Sequence, residues 1–572
     1  MKNFLWKYKK PDADDVQNIS EQFSVPTSIS TIMSLKKINT KDISRNFFYD
    51  NLKQLHSPLL MKDMLKAVQR IIQAQNNNEL VLIIGDYDTD GTTAASILHL
   101  YFKSLDLDSE YYIPDRQKEG YGISINAIDY GIKIGASLII SCDCGITAID
   151  QIDYSNKHKI DFIITDHHKP KEVLPNAYAI LNPNQVDCNY PFKGLCGAGV
   201  AFKLCVGINE ELNHNIEQVL EYVDLVAIAT TADIMPVIDE NRLLIKEGMK
   251  RIIKGTNSGI KSLLNTSRLD INSLTIGKLS YWFIPKINAA GRLGDAARAV
   301  KLFTTSNPQL ANEIALDLEN ENEKRKAITS NHENDAKRMV DTSYDLKNKK
   351  IIILHNTDWH FGIIGIVASR IKELYNRPTI IMTEENGLYK GSCRSIPGYD
   401  IVNALHHCSE LLENYGGHPM AAGLSIKKDK LNMFCDKINL YTDDKISDNL
   451  DPIINIDYEL KFSEINNRFI KFLNYLEPFG PGNPKPIFVT RNVNGISDVQ
   501  LLGRERETIK FQIKNQDYVL SIIGFRMLEH YEKLLSGKKL DIVYTIDKNY
   551  WNGTYSIQLV LKDIIYSNDK KN

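Results

Sequence analysis

The chain has 572 residues, of which 43% are hydrophobic and 24% charged, with a formal net charge of −2. A length well beyond ~300 residues exceeds one hydrophobic core and predicts several domains, and the ordinary composition excludes large-scale disorder. The near-neutral balance excludes a globally basic nucleic-acid binder, so any site for a polyanion must be a local cleft.

Residues 1–50 read as an N-terminal extension. From about residue 80 to 235, short β-rich apolar runs alternate with amphipathic stretches. Leu80 to Ile84, Leu138 to Ser141, Phe162 to Thr165 and Leu225 to Thr230 are predicted strands, and TTAASILHLYFKSL after Gly91 is a predicted helix returning across the sheet. The pattern predicts a parallel α/β domain over 51–300. Each strand-like run is followed within a few residues by aspartate, or by aspartate and histidine. Ligand sites in open α/β sheets lie beyond the carboxyl ends of the strands, so four separate segments are expected to converge in one crevice.

Residues 301–347 become charged and poor in Gly and Pro, which predicts one or two solvated connecting helices; composition alone favours a plain spacer. Ile351 to Leu354 and Thr379 to Met382 are predicted strands of a smaller α/β unit over 348–430. Lys510 to Ile513, Tyr518 to Ile523, Leu540 to Thr545 and Tyr555 to Leu561 predict a small β-barrel over 450–565. PFGPGNPKP, Pro478 to Pro486, reads as a loop. The eight cysteines form no C-x-x-C pair. Cys188, Cys196 and Cys205 match no usual structural-zinc spacing and read as small buried apolar residues. No secretory leader follows Met1 and no apolar run is long enough to span a bilayer, which fits a reducing cytoplasm and no membrane partner.

Chemistry concentrates in four clusters. GDYDTDG, Gly85 to Gly91, places Asp86, Asp88 and Asp90 directly after a strand. Three carboxylates so close repel one another, and divalent cations remove the conflict; a calcium loop of the EF-hand kind would need a later glutamate and flanking helices. SCDCGI puts Asp143 at a strand end with Gly145 to permit a tight turn, a position that a helix cap could equally occupy. TDHHK sets His167 and His168 beside Asp166; neutral imidazole suits Mn²⁺ or Zn²⁺, and the carboxylates suit Mn²⁺ or Mg²⁺. ATTADIMPV supplies Asp233 in the same arrangement. Together these are enough ligands for two ions, as phosphoryl displacement uses. Neither a phosphate-binding G-x-x-x-x-G-K-[ST] loop nor a G-x-S-x-G elbow is present, so ATPase and serine-hydrolase chemistry are unsupported. Gly194, Gly197 and Gly199 precede a predicted helix, where they could serve a phosphate or simply close helix–sheet packing.

The set GDYDTDG, DCG, DHH and TADIMP resembles the DHH phosphoesterase superfamily, and its order and spacing are similar to the RecJ family in particular. INAAGRLGDA, WHFGIIGIVASRI, GSCRSIPGYD and GGHPMAAG extend the resemblance over residues 50 to 565. It implies a DHH catalytic domain, a long connecting helix, a DHH-associated domain and a C-terminal oligonucleotide-binding (OB) barrel. It implies metal ligation by Asp88, Asp90, Asp143, His167 and Asp233, with Asp143 bridging, and counts Asp86, where many members have histidine, among the candidate ligands. His168 is expected at a phosphate and Asp166 as the group that orients a ligand. Arg116, Ser392 and Arg394 are implied to hold a 5′-terminal phosphate, as guanidinium forks do well, and Asn288, Arg292 and His418 to contact the nucleotide.

The implied activity is 5′→3′ hydrolysis of single-stranded DNA to 5′-mononucleotides with two Mn²⁺ or Mg²⁺ ions, in repair and recombination. The implied partners are single-stranded DNA and, from the resemblance alone, a single-strand-binding protein and a RecQ-type helicase; the implied state is a monomer. A DHH phosphodiesterase for cyclic dinucleotides or very short oligonucleotides is the rival enzyme, disfavoured by the extra C-terminal segments. A catalytically dead DNA-binding scaffold is the rival of another class, and it has no need for such a cluster of like charges.

Overall fold

The computed structural model describes residues 4–566 apart from 50–51, 117, 121, 268–269, 386, 448–449, 504–505, 515–517 and 552–553. Five strands, β1 (Val81–Gly85), β2 (Ser109–Tyr112), β3 (Leu138–Cys142), β4 (Asp161–Thr165) and β5 (Ala179–Leu181), form a parallel sheet in the order β2-β1-β3-β4-β5. Val81 and Ile83 enter one core and Leu82 and Ile84 the other, so both faces are covered and the strands read as unbroken apolar runs. The order reverses between β1 and β3, which opens the crevice where open α/β sheets bind ligands. Gly85 is in register with Cys142, and Cys142 with Thr165. The residues that follow, Asp86, Asp143 and Asp166, therefore leave the sheet at one level.

Helices α1 (Thr89–Ser104) and α2 (Gly197–Glu211) pack against this sheet and each other, α3 (Val223–Ala232) packs on both and α4 (Asp239–Lys254) on α3, followed by α5 (Ile284–Leu293). The run Leu225 to Thr230, expected as a strand, lies inside α3. Every residue from Val223 to Thr231 is buried, so neither a two-residue nor a 3.6-residue period shows. The alanines of VDLVAIATTA favour the helix.

The charged segment forms one helix, α6 (Pro308–Ser343), with Pro308 in its first turn and Asn307 capping the amides of Gln309 and Leu310. At ~1.5 Å per residue it reaches about 54 Å. Ala311, Ile314, Ala315 and Leu318 root it in the first core, and Ala336 and Val340 in the second.

The second sheet, β6 (Ile352–His355), β7 (Thr379–Glu385), β8 (Leu388–Arg394), β9 (Asn414–His418) and β10 (Ala421–Lys427), runs β9-β10-β8-β7-β6. Helix α7 (Phe361–Tyr375) covers one face. Helix α8 (Leu431–Lys445) buries Phe434 and Ile438 against the other, past the boundary expected at 430. The C-terminal strands β11 (Tyr458–Glu459), β12 (Phe488–Val493), β13 (Ile496–Leu502), β14 (Thr508–Lys514), β15 (Val519–Gly524), β16 (Leu540–Trp551) and β17 (Thr554–Tyr566) form a seven-stranded sheet in the order β11-β12-β16-β17-β15-β14-β13. Its core includes Ile19, Ile29 and Ile32 from the N-terminal segment, and Leu5–Tyr8 pairs in parallel with Ile453–Ile456. No helix among the described residues is long and apolar enough to cross a membrane.

Candidate metal centre and phosphate pocket

The four acidic segments meet. Asp88 caps α1, accepting from the amides of Asp90 at 2.8 Å and Gly91 at 3.1 Å. A side chain at Gly91 would stand 2.4 Å from the Asp86 nitrogen, so only glycine lets the helix start this close to the strand end. Asp90 accepts from the first amides of α2, those of Gly197 and Ala198, at 2.7 Å each. The positive end of that helix thus holds a carboxylate of the protein itself, not a substrate phosphate. Asp143 takes a left-handed backbone, φ 62°, and a Cβ on Gly197 would lie 2.5 Å from its own Cβ. The glycine at the start of α2 is therefore what allows that helix to press on Asp143.

Asp166 fixes the two histidines. Its carboxylate accepts from the amides of His167 and His168 at 2.7 and 3.0 Å, from His168 Nδ1 at 2.8 Å, and from the amide of Ile146 at 3.0 Å. Burial acts to raise Asp166, but these donors outweigh it and hold the carboxyl below its ordinary range. His167 Nε2 lies 3.1 Å from Asp143 Oδ1, 3.6 Å from Asp233 Oδ2 and 3.8 Å from Asp90 Oδ2.

Three overlapping groups, Asp86–Asp88–Asp143, Asp90–His167–Asp233 and Asp143–His167–His168, each bring their ligand atoms within 4.8 Å of one another. Burial, then neighbouring carboxylates, push Asp86, Asp88 and Asp143 above the usual carboxylate range. The same causes push Asp233 up to about 8. Burial holds the His167 imidazole below its ordinary value, favouring the neutral ring that ligates metal. Asp86 Oδ1, Asp143 Oδ1 and His167 Nε2 are buried without a hydrogen-bond partner. Orphaned ligand atoms among mutually repelling carboxylates fit divalent cations of the Mn²⁺ or Mg²⁺ kind, with oxygen and imidazole donors of the right hardness.

A second cluster is cationic. Arg394, on β8, donates to Ser392 Oγ and Ser369 Oγ at 3.1 Å each. Arg116 lies over the rings of Tyr87 and Phe361, 5.1 and 6.0 Å from their centroids, reaching from the first domain to the start of α7. Arg292 donates to the Gly362 carbonyl at 3.0 Å. Burial first, then Arg116, Arg325 and Arg394, push the Arg292 guanidinium down to about 10. Among the described residues no carboxylate forms an ion pair with any of these four arginines. Concentrated positive charge without an internal counter-ion is a place for an anion.

Three family models match the chain: DHH family, N-terminal domain, over residues 80–230; the DHHA1 domain over 348–443; and the RecJ OB domain over 456–563. The single-stranded-DNA-specific exonuclease RecJ of Bacillus subtilis is 34% identical over 565 residues, 98% of this chain and 71% of that protein. The chain belongs to the RecJ family. Among solved structures, RecJ of Thermus thermophilus in complex with Mn²⁺ superimposes with a TM-score of 0.82 over 98% of this chain and 79% of that one, at 24% identity, and supports the fold. An exonuclease RecJ bound to manganese is 30% identical, covering 70% of this chain and 97% of that one with a TM-score of 0.60.

In this RecJ-family chain, Asp86, Asp88, Asp90, Asp143, His167, His168 and Asp233 come together in one cluster, and Arg116, Arg292 and Arg394 in the cationic pocket beside it. The carbonyl oxygen of Asn288 accepts from the Thr89 amide at 3.0 Å and hydroxyl at 2.8 Å, bracing the segment that carries Asp88 and Asp90. His418 is exposed on β9 and close enough to His167 to lower its pKa. Sequence reasoning missed Arg325 and the rings of Tyr87 and Phe361. Arg325 has no local signal, because it lies within the charged run ENEKRK; the rings gain meaning only once folding stacks Arg116 on them.

Proposed function

We propose that the chain is a single-stranded-DNA-specific 5′→3′ exonuclease that releases 5′-mononucleotides, using Mn²⁺ or Mg²⁺ bound by Asp86, Asp88, Asp90, Asp143, His167 and Asp233. The observation that carries this is the cationic pocket of Arg116, Ser392 and Arg394 on the second-domain side of a carboxylate–imidazole cluster. A metal cluster alone would serve any phosphodiester; an anion pocket beside it selects a chain end.

Two divalent cations, when bound, supply Lewis-acid activation of water and neutralise charge developing on the phosphoryl oxygens. The residues of the chain do the rest. Arg394, braced by Ser369 and Ser392, holds the 5′-terminal phosphate with Arg116 and so sets which phosphodiester lies over the cluster. Arg292, coupled electrostatically to Arg116, Arg325 and Arg394, neutralises the scissile phosphate. Asp166 accepts from His168 Nδ1 at 2.8 Å and so orients that ring to donate to a phosphate oxygen.

Single-strand specificity is supported by a groove of about 2360 Å³ between the first domain and the barrel, which carries Lys250, Lys278 and Lys548 with Tyr281, Tyr518 and Tyr550. Lysines follow the backbone and tyrosines stack bases. We assign residues 1–50 to an N-terminal extension, 51–300 to the catalytic domain, 301–347 to the connecting helix, the segment from 348 through α8 to the DHH-associated domain and 450–565 to the OB barrel. Action as a monomer in the cytoplasm, beside a single-strand-binding protein and a RecQ-type helicase, is the setting suggested by the family.

The test is product analysis on single strands and duplexes labelled at the 5′ or the 3′ end, with Mn²⁺, Mg²⁺ or chelator. Labelled mononucleotide should appear at once from the 5′ label on single strands only, and not with chelator. Early release of the 3′ label, or equal cutting of blunt duplex, contradicts the assignment.

A further inference from the structure

Asp233 is held differently from the aspartates beside it. Asp88 and Asp90 are fixed by helix amides and Asp143 is pressed by α2. Among the described residues no hydrogen bond reaches the Asp233 carboxylate, whose side chain is 33% exposed. Asp90 belongs to the same ligand group, and like charges that close drive the less braced one outward unless its backbone is held. The next residue sharpens that demand. Ile234 takes a left-handed backbone, φ 56°, which a β-branched residue keeps only where its surroundings impose it.

The restraint comes from the segment that follows. Val237 donates its amide to the Pro481 carbonyl at 2.6 Å, and a Cβ on Gly480 would stand 2.5 Å from Val237 Cγ2. From the other side Asn241 Nδ2 donates to the Pro236 carbonyl at 3.0 Å. Phe479 to Pro481 also line, with Ala232, Ile234 and Arg325 of α6, a cavity of about 530 Å³. The loop seated on Val237 is thus PFGPGNPKP, which leads into the barrel. It is gathered in turn by Arg242, near the start of α4 and 4% exposed. The Arg242 guanidinium donates to the carbonyls of Tyr475, Leu476, Glu477 and Pro478 at 3.2, 3.3, 2.6 and 3.4 Å, and it lies 3.8 Å from the centroid of the Phe47 ring. These carbonyls close the helix Asn467–Tyr475, where the helix dipole is negative and the last carbonyls lack partners of their own. Asn483 Nδ2 donates to Leu476 and Pro478 at 2.8 Å each, which ties the loop to the same helix end.

We propose that Arg242 is a positioning residue for Asp233: by gathering the carbonyls of Tyr475 to Pro478 it seats the loop before the barrel on Val237, and the seated loop fixes the backbone that aims Asp233 at the metal cluster. This rests on the metal reading of that cluster. The chain between Asp233 and α4 is only Ile234 to Ile238, so a shift of Val237 passes to the carboxylate with little slack. The barrel unit is thereby a support for one ligand of the metal centre, and the ligand group Asp90–His167–Asp233 is complete only while that unit is docked.

The test is Mn²⁺ binding by the metal-free full chain without DNA, read from the EPR signal of the free ion, with Asp233→Ala marking the binding step that needs this carboxylate. Arg242→Gln should weaken that step about tenfold or more, the usual effect of disturbing the support behind a metal ligand, and leave the other step within about twofold. Arg242→Lys, which keeps the charge without the planar fork, should recover part of the loss. In the Asp233→Ala background Arg242→Gln should change nothing further. Gly480→Ala should weaken the same step with Arg242 intact, which keeps the test in place if Arg242→Gln unfolds the barrel. Hydrogen exchange of residues 233–242 in the metal-free protein should quicken in both variants while that of 86–91 stays unchanged. Equal weakening of both steps, or a loss that persists without the Asp233 carboxylate, overturns the positioning role. If the wild-type chain binds no Mn²⁺, the metal reading itself fails; unchanged exchange of 233–242 then overturns the Arg242 support by a measurement that needs no ion.

Discussion

Asp143 is the residue that joins two of the candidate ligand groups. It leaves β3 at the level of Asp86 and Asp166, turns through a left-handed backbone and belongs to two of the three ligand groups. Asp143→Ala should lower mononucleotide release at least ~10³-fold, about 4 kcal/mol of transition-state stabilisation, while single-stranded DNA still binds through the arginines. Residual cutting within about tenfold of wild type would remove Asp143 from the shared position. Arg394 makes a different kind of contribution. Arg394→Ala should reduce the preference for 5′-phosphate over 5′-hydroxyl ends by ~10–100-fold with little change in unfolding midpoint, and an unchanged preference would move the end pocket elsewhere. The carboxylates and imidazoles were legible because like charges crowded at strand ends repel one another and call for a cation to hold them together. The bond from Thr89 to Asn288 was not legible, since it joins residues 199 apart in sequence.

Helices show where pattern reading stops. β1, β3 and β4 were plain because β-branched runs bounded by turn residues favour the extended chain. Helix α3 was not, because a segment buried on all sides carries no period. That burial has a consequence in Asp224, in the first turn of α3, whose carboxyl is pushed up to about 7, chiefly by desolvation. A folded-state pKa above the unfolded value means that the native protein binds the extra proton between about pH 4 and 7. Asp224 therefore costs stability progressively as pH rises through that window, and the full cost remains above it. Asp224→Asn removes the charge, so it should raise the urea midpoint at pH 8 and raise it much less at pH 5. An equal effect at both pH values, or none, would show that Asp224 is ionised without penalty. Helix α6 behaves in a related way: its length and solvated faces were readable, but the one arginine turned into a cavity was not distinguishable from its charged neighbours.

Across the whole molecule, the N-terminal segment and the barrel are one folding unit although they lie at opposite ends of the chain. Ile19, Ile29 and Ile32 share the barrel's core, Leu5–Tyr8 adds to Ile453–Ile456, and Lys36 donates to Asn483 and to the Pro484 carbonyl at 2.7 Å each. Removing residues 451–572 alone should strand apolar helices and give an aggregating protein. Removing 1–50 together with 451–572 should give a monodisperse one by light scattering, and the opposite ranking would contradict the shared core. Sequence patterning located the barrel, but it could not show what covers it, because that partner is hundreds of residues away. The same long-range convergence underlies the metal centre, and anomalous scattering from crystals soaked in Mn²⁺ tests it most directly. The expected result is two peaks, one among Asp86, Asp88 and Asp143 and one among Asp90, His167 and Asp233. Absence of peaks there, or ordered Mn²⁺ at other side chains only, would contradict the account.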